Sequence, residues 1–257
     1  MPFDIDYSLN LLLILLIAGF AGAFIDAVVG GGGLITLPAL LFLGLTPSSA
    51  VATNKLAGVV GSLTSTITFY RSGKLDIKSG LRYFPLSFIG GLLGAWSVHL
   101  MNPELLKPVM LIMLVLVLIY TILKKDWGSV EVLHVHSRNK MLIFIMILFL
   151  IGFYDGFLGP GTGSFLIFTF LTMGSDFLKA AGNAKLLNFG SNLAALLMFA
   201  FLGQINYSYG IPMAFAQIFG AIIGSRFAIK RGSSFVRIIF IIVTVILLTK
   251  NAYDFFK

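Results

Sequence analysis

Asp26-Ala27-Val28-Val29-Gly30-Gly31-Gly32-Gly33 returns 129 residues later as Asp155-Gly156-Phe157-Leu158-Gly159-Pro160-Gly161-Thr162-Gly163. In both stretches a long apolar run carries a single acid near its end and then breaks on glycine. One inserted residue moves the offset to 130. That offset pairs Ala50, Lys55 and Leu56 with Ala180, Lys185 and Leu186, Gly90 and Gly94 with Gly220 and Gly224, and Lys107 with Arg237. An offset that holds from the break to the end of each half marks an internal duplication. The first copy covers residues 1–125, a linker covers 126–140, and the second copy covers 141–257.

The surroundings of the breaks set the fold class. Of the 257 residues 58% are hydrophobic and 11% charged, against about 25% charged in a soluble domain. Ten apolar segments follow one another at 9–29, 33–45, 50–70, 81–100, 105–123, 141–158, 163–173, 180–202, 209–228 and 234–249. They leave no room for a separate aqueous domain. In lipid they must be helices, because an open sheet edge leaves backbone groups unsatisfied. The second and seventh are short and each follows a glycine break, the pattern of a discontinuous helix. Residues 1–10 carry Asp4 and Asp6 and no basic side chain, so segment 9–29 is expected to be a retained span rather than a secretory signal.

Loop charges orient the copies. Loop 71–82 holds Arg71, Lys74, Lys78 and Arg82 against Asp76, whereas its counterpart 203–208 is uncharged. Loop 226–237 holds Arg226, Lys230, Arg231 and Arg237, whereas its counterpart 97–107 nets to zero. Basic loops stay in the cytoplasm, so equivalent loops fall on opposite sides, and the central loop with Lys124, Lys125, Arg138 and Lys140 is cytoplasmic. The expectation is an all-α membrane protein of about ten transmembrane segments. They form two inverted-topology repeats of five, every segment counting as a crossing and both termini lying outside. The net charge of +8 is explained by these loops and does not point to nucleic acid.

Chemistry concentrates at the breaks. A helix restarting at Leu34 or Ser164 aims free N–H groups and a positive dipole end into the membrane, which suits an anion. Gly31, Gly32 and Gly33, with Gly161, Thr162 and Gly163, are the expected backbone part of that site. Lys55 and Lys185 lie about five residues inside their segments, too deep for snorkelling to be the favoured account. Asn54 and Asn188 stand beside them as polar ligands, and Asn183, Asn192 and Gln217 add polarity nearby. Asp26 and Asp155 are the only acids inside spans. Three roles are open to them: proton relay, pairing with the lysines, or capping the turns. The pairs Gly90/Gly94 and Gly220/Gly224 suit helix packing or a homodimer contact. No metal or cofactor is expected: there are no cysteines, and His134-x-His136 has no second ligand cluster beside it. The glycine runs lack the strand and the lysine-serine or lysine-threonine of nucleotide loops.

At these residues the chain resembles the sulfite exporter TauE/SafE family, also called the sulfonate uptake permease group, and its YfcA-like branch in particular. The matching stretches are Gly22-Ala-Phe-Ile-Asp26-Ala-Val-Val-Gly-Gly-Gly-Gly33-Leu, Pro38-Ala-Leu, Ala52-Thr-Asn-Lys-Leu56, Gly152-Phe-Tyr-Asp-Gly-Phe-Leu-Gly-Pro160 and Ala184-Lys-Leu-Leu-Asn188. Gly161-Thr162-Gly163 departs from that branch, which has alanines there. The resemblance implies a bacterial inner-membrane protein that moves sulfur-containing anions such as sulfite or sulfoacetate. The function expected is secondary transport of a small anion by alternating access, not enzymatic catalysis. An anion channel and an intramembrane aspartyl enzyme built on Asp26 and Asp155 are the competing classes. The first lacks a selectivity ring; the second needs both acids in matching surroundings.

Overall fold

The computed structural model describes residues 9–123 and 138–231, and within them every regular element is a helix. These are α1 (Leu9–Val29), α2 (Gly33–Phe42), α3 (Pro47–Arg71), α4 (Ile77–Leu100), α5 (Pro103–Leu123), α6 (Arg138–Phe157), α7 (Thr162–Thr172), α8 (Phe177–Phe201) and α9 (Tyr207–Arg231). Nine of the ten expected segments coincide with them to within a few residues. The tenth, 234–249, lies outside the described residues, as do His134, His136 and most of the 126–140 linker.

The ends of the helices follow local rules. Each of α1, α2, α3, α6, α7 and α8 stops on a glycine with positive φ: Gly30, Gly44, Gly73, Gly159, Gly174 and Gly203. A left-handed residue at a helix C-terminus favours glycine, which has no Cβ to clash. Gly159 lies 129 residues after Gly30, and Gly174 and Gly203 lie 130 after Gly44 and Gly73. The duplication in the sequence is therefore also a duplication of backbone geometry. At the starts, Asp76 accepts from the Ser79 N–H at 3.3 Å and Asp176 from the Lys179 N–H at 3.0 Å. Asn206, 130 residues after Asp76, caps α9 through the Tyr209 N–H at 3.2 Å.

Apolar side chains cover the outer surface as well as filling the core, and charge lies inside. Leu9, Leu13 and Ile17 on α1, Ile89, Leu93 and Trp96 on α4, and Ile211, Phe215, Phe219 and Ile223 on α9 form exposed stripes. Lys55 and Lys185 are among the largest fully buried side chains. Apolar surface outside and charge inside is the arrangement of a protein in a bilayer. Leu9–Val29, Asn139–Phe157, Phe177–Phe201 and Tyr207–Lys230 are long and apolar enough to cross a membrane. Ile77–Leu100 with Glu104–Leu116, bent by 119°, makes a fifth if the pair is one span.

Two departures from ten equal crossings have physical causes. α2 and α7, of 10 and 11 residues, reach only about 15–17 Å at 1.5 Å per residue, half of a ~30 Å hydrocarbon core. Instead of crossing, they double back. Gly22 of α1 touches Thr36 of α2 and Gly32 lies on Asp26, while the ring of Tyr154 on α6 meets that of Phe165 on α7 at 5.7 Å. α1–α2 and α6–α7 are thus helical hairpins with their glycine breaks as buried tips. α3, with 25 residues, is long enough to cross but rich in serine and threonine. Ser62, Thr64, Thr66 and Thr68 each donate to the carbonyl four residues back, at 2.6–2.8 Å. This satisfies their hydroxyls within the helix and makes a polar helix tolerable inside the bundle.

Close contacts fix helix directions. Met213 packs on Gly19, Phe20 on Gly220 and Phe24 on Gly224, so α1 and α9 run parallel. Phe149 packs on Gly90 and Phe153 on Gly94, so α4 and α6 run parallel too. Leu56 packs on Gly210 and Gln217 on Gly61, aligning α3 with α9, while Leu186 on Gly80 and Ser191 on Gly91 align α8 with α4. Asn192 lies on Gly58 and Gly182 on Lys74, so α3 and α8 are antiparallel. Hence α1, α3 and α9 point one way and α4, α6 and α8 the other. The small-x-x-x-small pairs serve packing within the chain, where missing side chains let backbones approach.

Candidate functional site

The site is built where the two hairpin tips meet. The Ser164 N–H donates to the Gly30 carbonyl at 3.1 Å and its hydroxyl donates to the Val29 carbonyl. A Cβ on Gly30 would fall 2.2 Å from the Gly163 carbonyl carbon, so this crossing requires glycine on both strands. It brings the end of α1 against the start of α7, joining the two breaks, and Asp26 and Asp155 lie beside α8 and α3.

Each acid pairs with the lysine of the other copy. Lys55 Nζ lies 2.9 Å from Asp155 Oδ1, both side chains being almost wholly buried. Lys185 Nζ lies 2.8 Å from Asp26 Oδ2, and also donates to the Asp26 main-chain carbonyl. Of the roles open to the acids, lysine pairing is thus realised in the geometry. A buried charge left alone is costly, and removing one partner of such a pair costs about 3–5 kcal/mol.

The two pairs are not equivalent. Asp155 Oδ2 accepts from Asn188 Nδ2 at 2.9 Å, Asn192 Nδ2 at 3.0 Å and the Ser191 hydroxyl. The repeat offset puts Gly58 and Gly61 of α3 where α8 has Asn188 and Ser191. Asp26 lacks that clamp: besides Lys185 it receives a long 3.4 Å bond from the Gly32 N–H to Oδ1, and its side chain is 24% exposed. The space beside Gly58 and Gly61 admits the side chains of Asn192 and Gln217.

A cavity of about 40 Å³ results, lined by Asp26, Gly32, Gly33, Thr36, Asn54, Lys55, Gly58, Gly61, Asp155, Asn188, Asn192 and Gln217 among others. It has room for a few water molecules. The Thr36 hydroxyl donates to Asn54 Oδ1 at 2.6 Å, fixing the orientation of that amide at the cavity wall.

Seven of the twelve residues expected from the sequence line this cavity: Asp26, Gly32, Gly33, Asn54, Lys55, Asp155 and Asn188. Gly31, Gly161, Thr162, Gly163 and Lys185 do not. The N-terminus of α2 faces the cavity, but that of α7 faces the other break, where Gly163 and Ser164 hold Gly30. The Thr162 hydroxyl turns to the Gly159 carbonyl at 2.8 Å, and Lys185 stands behind Asp26. The expected symmetric meeting of two helix N-termini is therefore one-sided. Sequence reasoning missed Thr36, Gly58 and Gly61. Lys55, Gly58 and Gly61 repeat every three residues on one helical face, a spacing that would have found the last two.

The chain matches the family model described as Sulfite exporter TauE/SafE over residues 15–250. It belongs to the sulfite exporter TauE/SafE family. It is 38% identical over 251 residues to "Probable membrane transporter protein ORF9" of Sinorhizobium sp, covering 97% of this chain and 95% of that protein. It is 33% identical to "Probable membrane transporter protein" of Haemophilus influenzae, covering 97% of each. It is 35% identical to "Probable membrane transporter protein YfcA" of Escherichia coli strain K12, covering 95% of this chain and 90% of that one. No solved structure matches. This TauE/SafE member is thus a multi-pass membrane protein of a transporter family, with paired charges at the buried tips of two helical hairpins.

Proposed function

We propose that the protein is a secondary carrier of a small anion, with sulfite and organosulfonates as the leading substrate class, working by alternating access in a bacterial inner membrane. The observation that carries this reading is the cavity at the hairpin tips, where Lys55, the Asn54 and Asn188 amides and the start of α2 converge. Ammonium, amide N–H and a helix N-terminus are donors suited to an oxyanion. The family name supplies sulfur; the geometry supplies only negative charge and small size.

The opposed directions of α1, α3 and α9 against α4, α6 and α8 support an inverted-topology pair. A hairpin that returns to the side it entered from has the same parity as two full crossings, so the loop charges remain consistent with both termini outside. Rearrangement of one copy against the other would expose the cavity to each side in turn. It would also widen a space that is tight in this structure.

Purified protein in proteoliposomes, offered sulfite, sulfoacetate, methanesulfonate and acetate, tests the reading. Saturable uptake of one or more of the sulfur anions is expected. Uptake of none of the sulfur anions would overturn it, and currents far above carrier turnover would replace it with a channel.

A further inference from the structure

We infer that Asp26 is the proton-carrying group of this carrier, one proton moving with each monovalent anion and in the same direction. This rests on the transport reading above. Lys55, Lys185, Asp26 and Asp155 sum to zero charge around the cavity. Bringing a monoanion into that neutral, poorly solvated space leaves one uncompensated negative charge, which is expensive inside a membrane. A proton bound by one of the two acids removes the excess.

The surroundings choose which acid. Asp155 is saturated: Lys55 occupies Oδ1, and Asn188, Ser191 and Asn192 occupy Oδ2. Adding a proton there opposes four donors and strips Lys55 of its carboxylate partner, leaving a buried ammonium unmatched. Among the described residues Asp26 Oδ1 is engaged only by the long Gly32 bond, and the side chain is open to the cavity. Lys185 would keep a hydrogen-bond partner, because it also donates to the Asp26 main-chain carbonyl. Protonation converts the Asp26 carboxylate to a neutral carboxylic acid, with the new O–H on the cavity side. Lys55 and Lys185 then outweigh Asp155 by one positive charge, and the anion restores neutrality. The titratable and charged groups facing Asp26 are Lys185 from α8, Lys55 from α3 and Asp155 from α6. α2 and α9 contribute the uncharged Thr36 and Gln217 to the cavity.

The test uses proteoliposomes loaded with a pH-reporting dye and offered methanesulfonate, which stays a monoanion at every working pH. In the wild type, acid outside should drive accumulation of about tenfold per pH unit, as electroneutral one-to-one coupling requires, with dye acidification matching anion entry. Asp26→Asn imitates the protonated state. It should exchange anion at a rate that no longer varies with pH and should move no protons. Should Asp26→Asn not fold, Asp26→Asn with Lys185→Met removes the pair without stranding a charge; its cavity is neutral again, so it should show neither acid-driven anion accumulation nor proton movement. Acid-driven accumulation in either variant, or wild-type anion entry without protons, overturns the inference and leaves carrier function standing. A wild type that moves none of the sulfur anions overturns the transport reading itself.

Discussion

Lys55 and Asp155 form a buried ion pair between the two copies. Their separation of 2.9 Å and near-complete burial tie α3 of the first copy to α6 of the second. Lys55→Ala should lower stability by about 3–5 kcal/mol, because Asp155 remains charged and buried. Lys55→Met with Asp155→Leu removes both charges, and thermal unfolding in detergent should show most of that loss recovered. The double variant should bind no sulfur anion. Equal stability of the single and double variants would mean that the pair is not a buried charge pair in the membrane. At this scale the sequence showed which residues mattered but not how they met. Two lysines and two acids at matched positions allow pairing within a copy, pairing across copies or no pairing. The choice is made by the crossing of Gly30 over Gly163, a tertiary contact between residues far apart in the chain.

Among the elements, glycine contacts separate backbone packing from side-chain packing. A Cβ at Gly94 would fall 2.0 Å from the Phe153 carbonyl oxygen, whereas one at Gly61 would meet the movable tip of Gln217. Gly94→Ala should therefore force α4 from α6 and lower the melting temperature markedly, and Gly61→Ala should be tolerated with Gln217 displaced. A melting series on the two variants checks the order. Asp176, at the start of α8, is a solvated cap. Its slight burial favours the neutral acid, but bonds and charge from Lys179 outweigh that and hold its carboxyl below the usual range. A lowered native value contributes stability above the ordinary carboxylate range that is lost as pH falls through the native value. Asp176→Ala should accordingly cost about 1 kcal/mol at neutral pH, and the difference from wild type should shrink in acid. Element existence was legible because apolar runs, capping residues and glycine stops agree. The half-length hairpins were legible only as short segments. Their folding back depends on Gly22 and Gly32 letting α2 lie on α1, which spacing alone does not reveal.

For the whole molecule, the repeat in sequence becomes a repeat of left-handed glycines, caps and parallel helix pairs, with one deliberate inequality. Glycines stand in α3 where α8 has Asn188 and Ser191, so the duplicated framework leaves the cavity's space beside α3. That inequality was readable in the alignment of the halves, but its meaning was not until α3 and α8 were seen to lie antiparallel. The inverted arrangement predicts opposite exposure of two equivalent turns. The chain has no cysteine, so Ser72→Cys and Gln204→Cys can be labelled singly in cells. Ser72→Cys should react only with a permeant reagent and Gln204→Cys with an impermeant one as well. Identical labelling from one side would remove the inverted topology.

The central claim is that a small anion sits between the hairpin tips. Selenite offers an oxyanion whose anomalous scattering locates it directly in crystals of the wild-type protein. The account predicts a selenium peak in the cavity, within hydrogen-bonding reach of Lys55 and the Asn54 and Asn188 amides. A peak held elsewhere in the fold, or a cavity that stays free of selenium at concentrations that support transport, would contradict it.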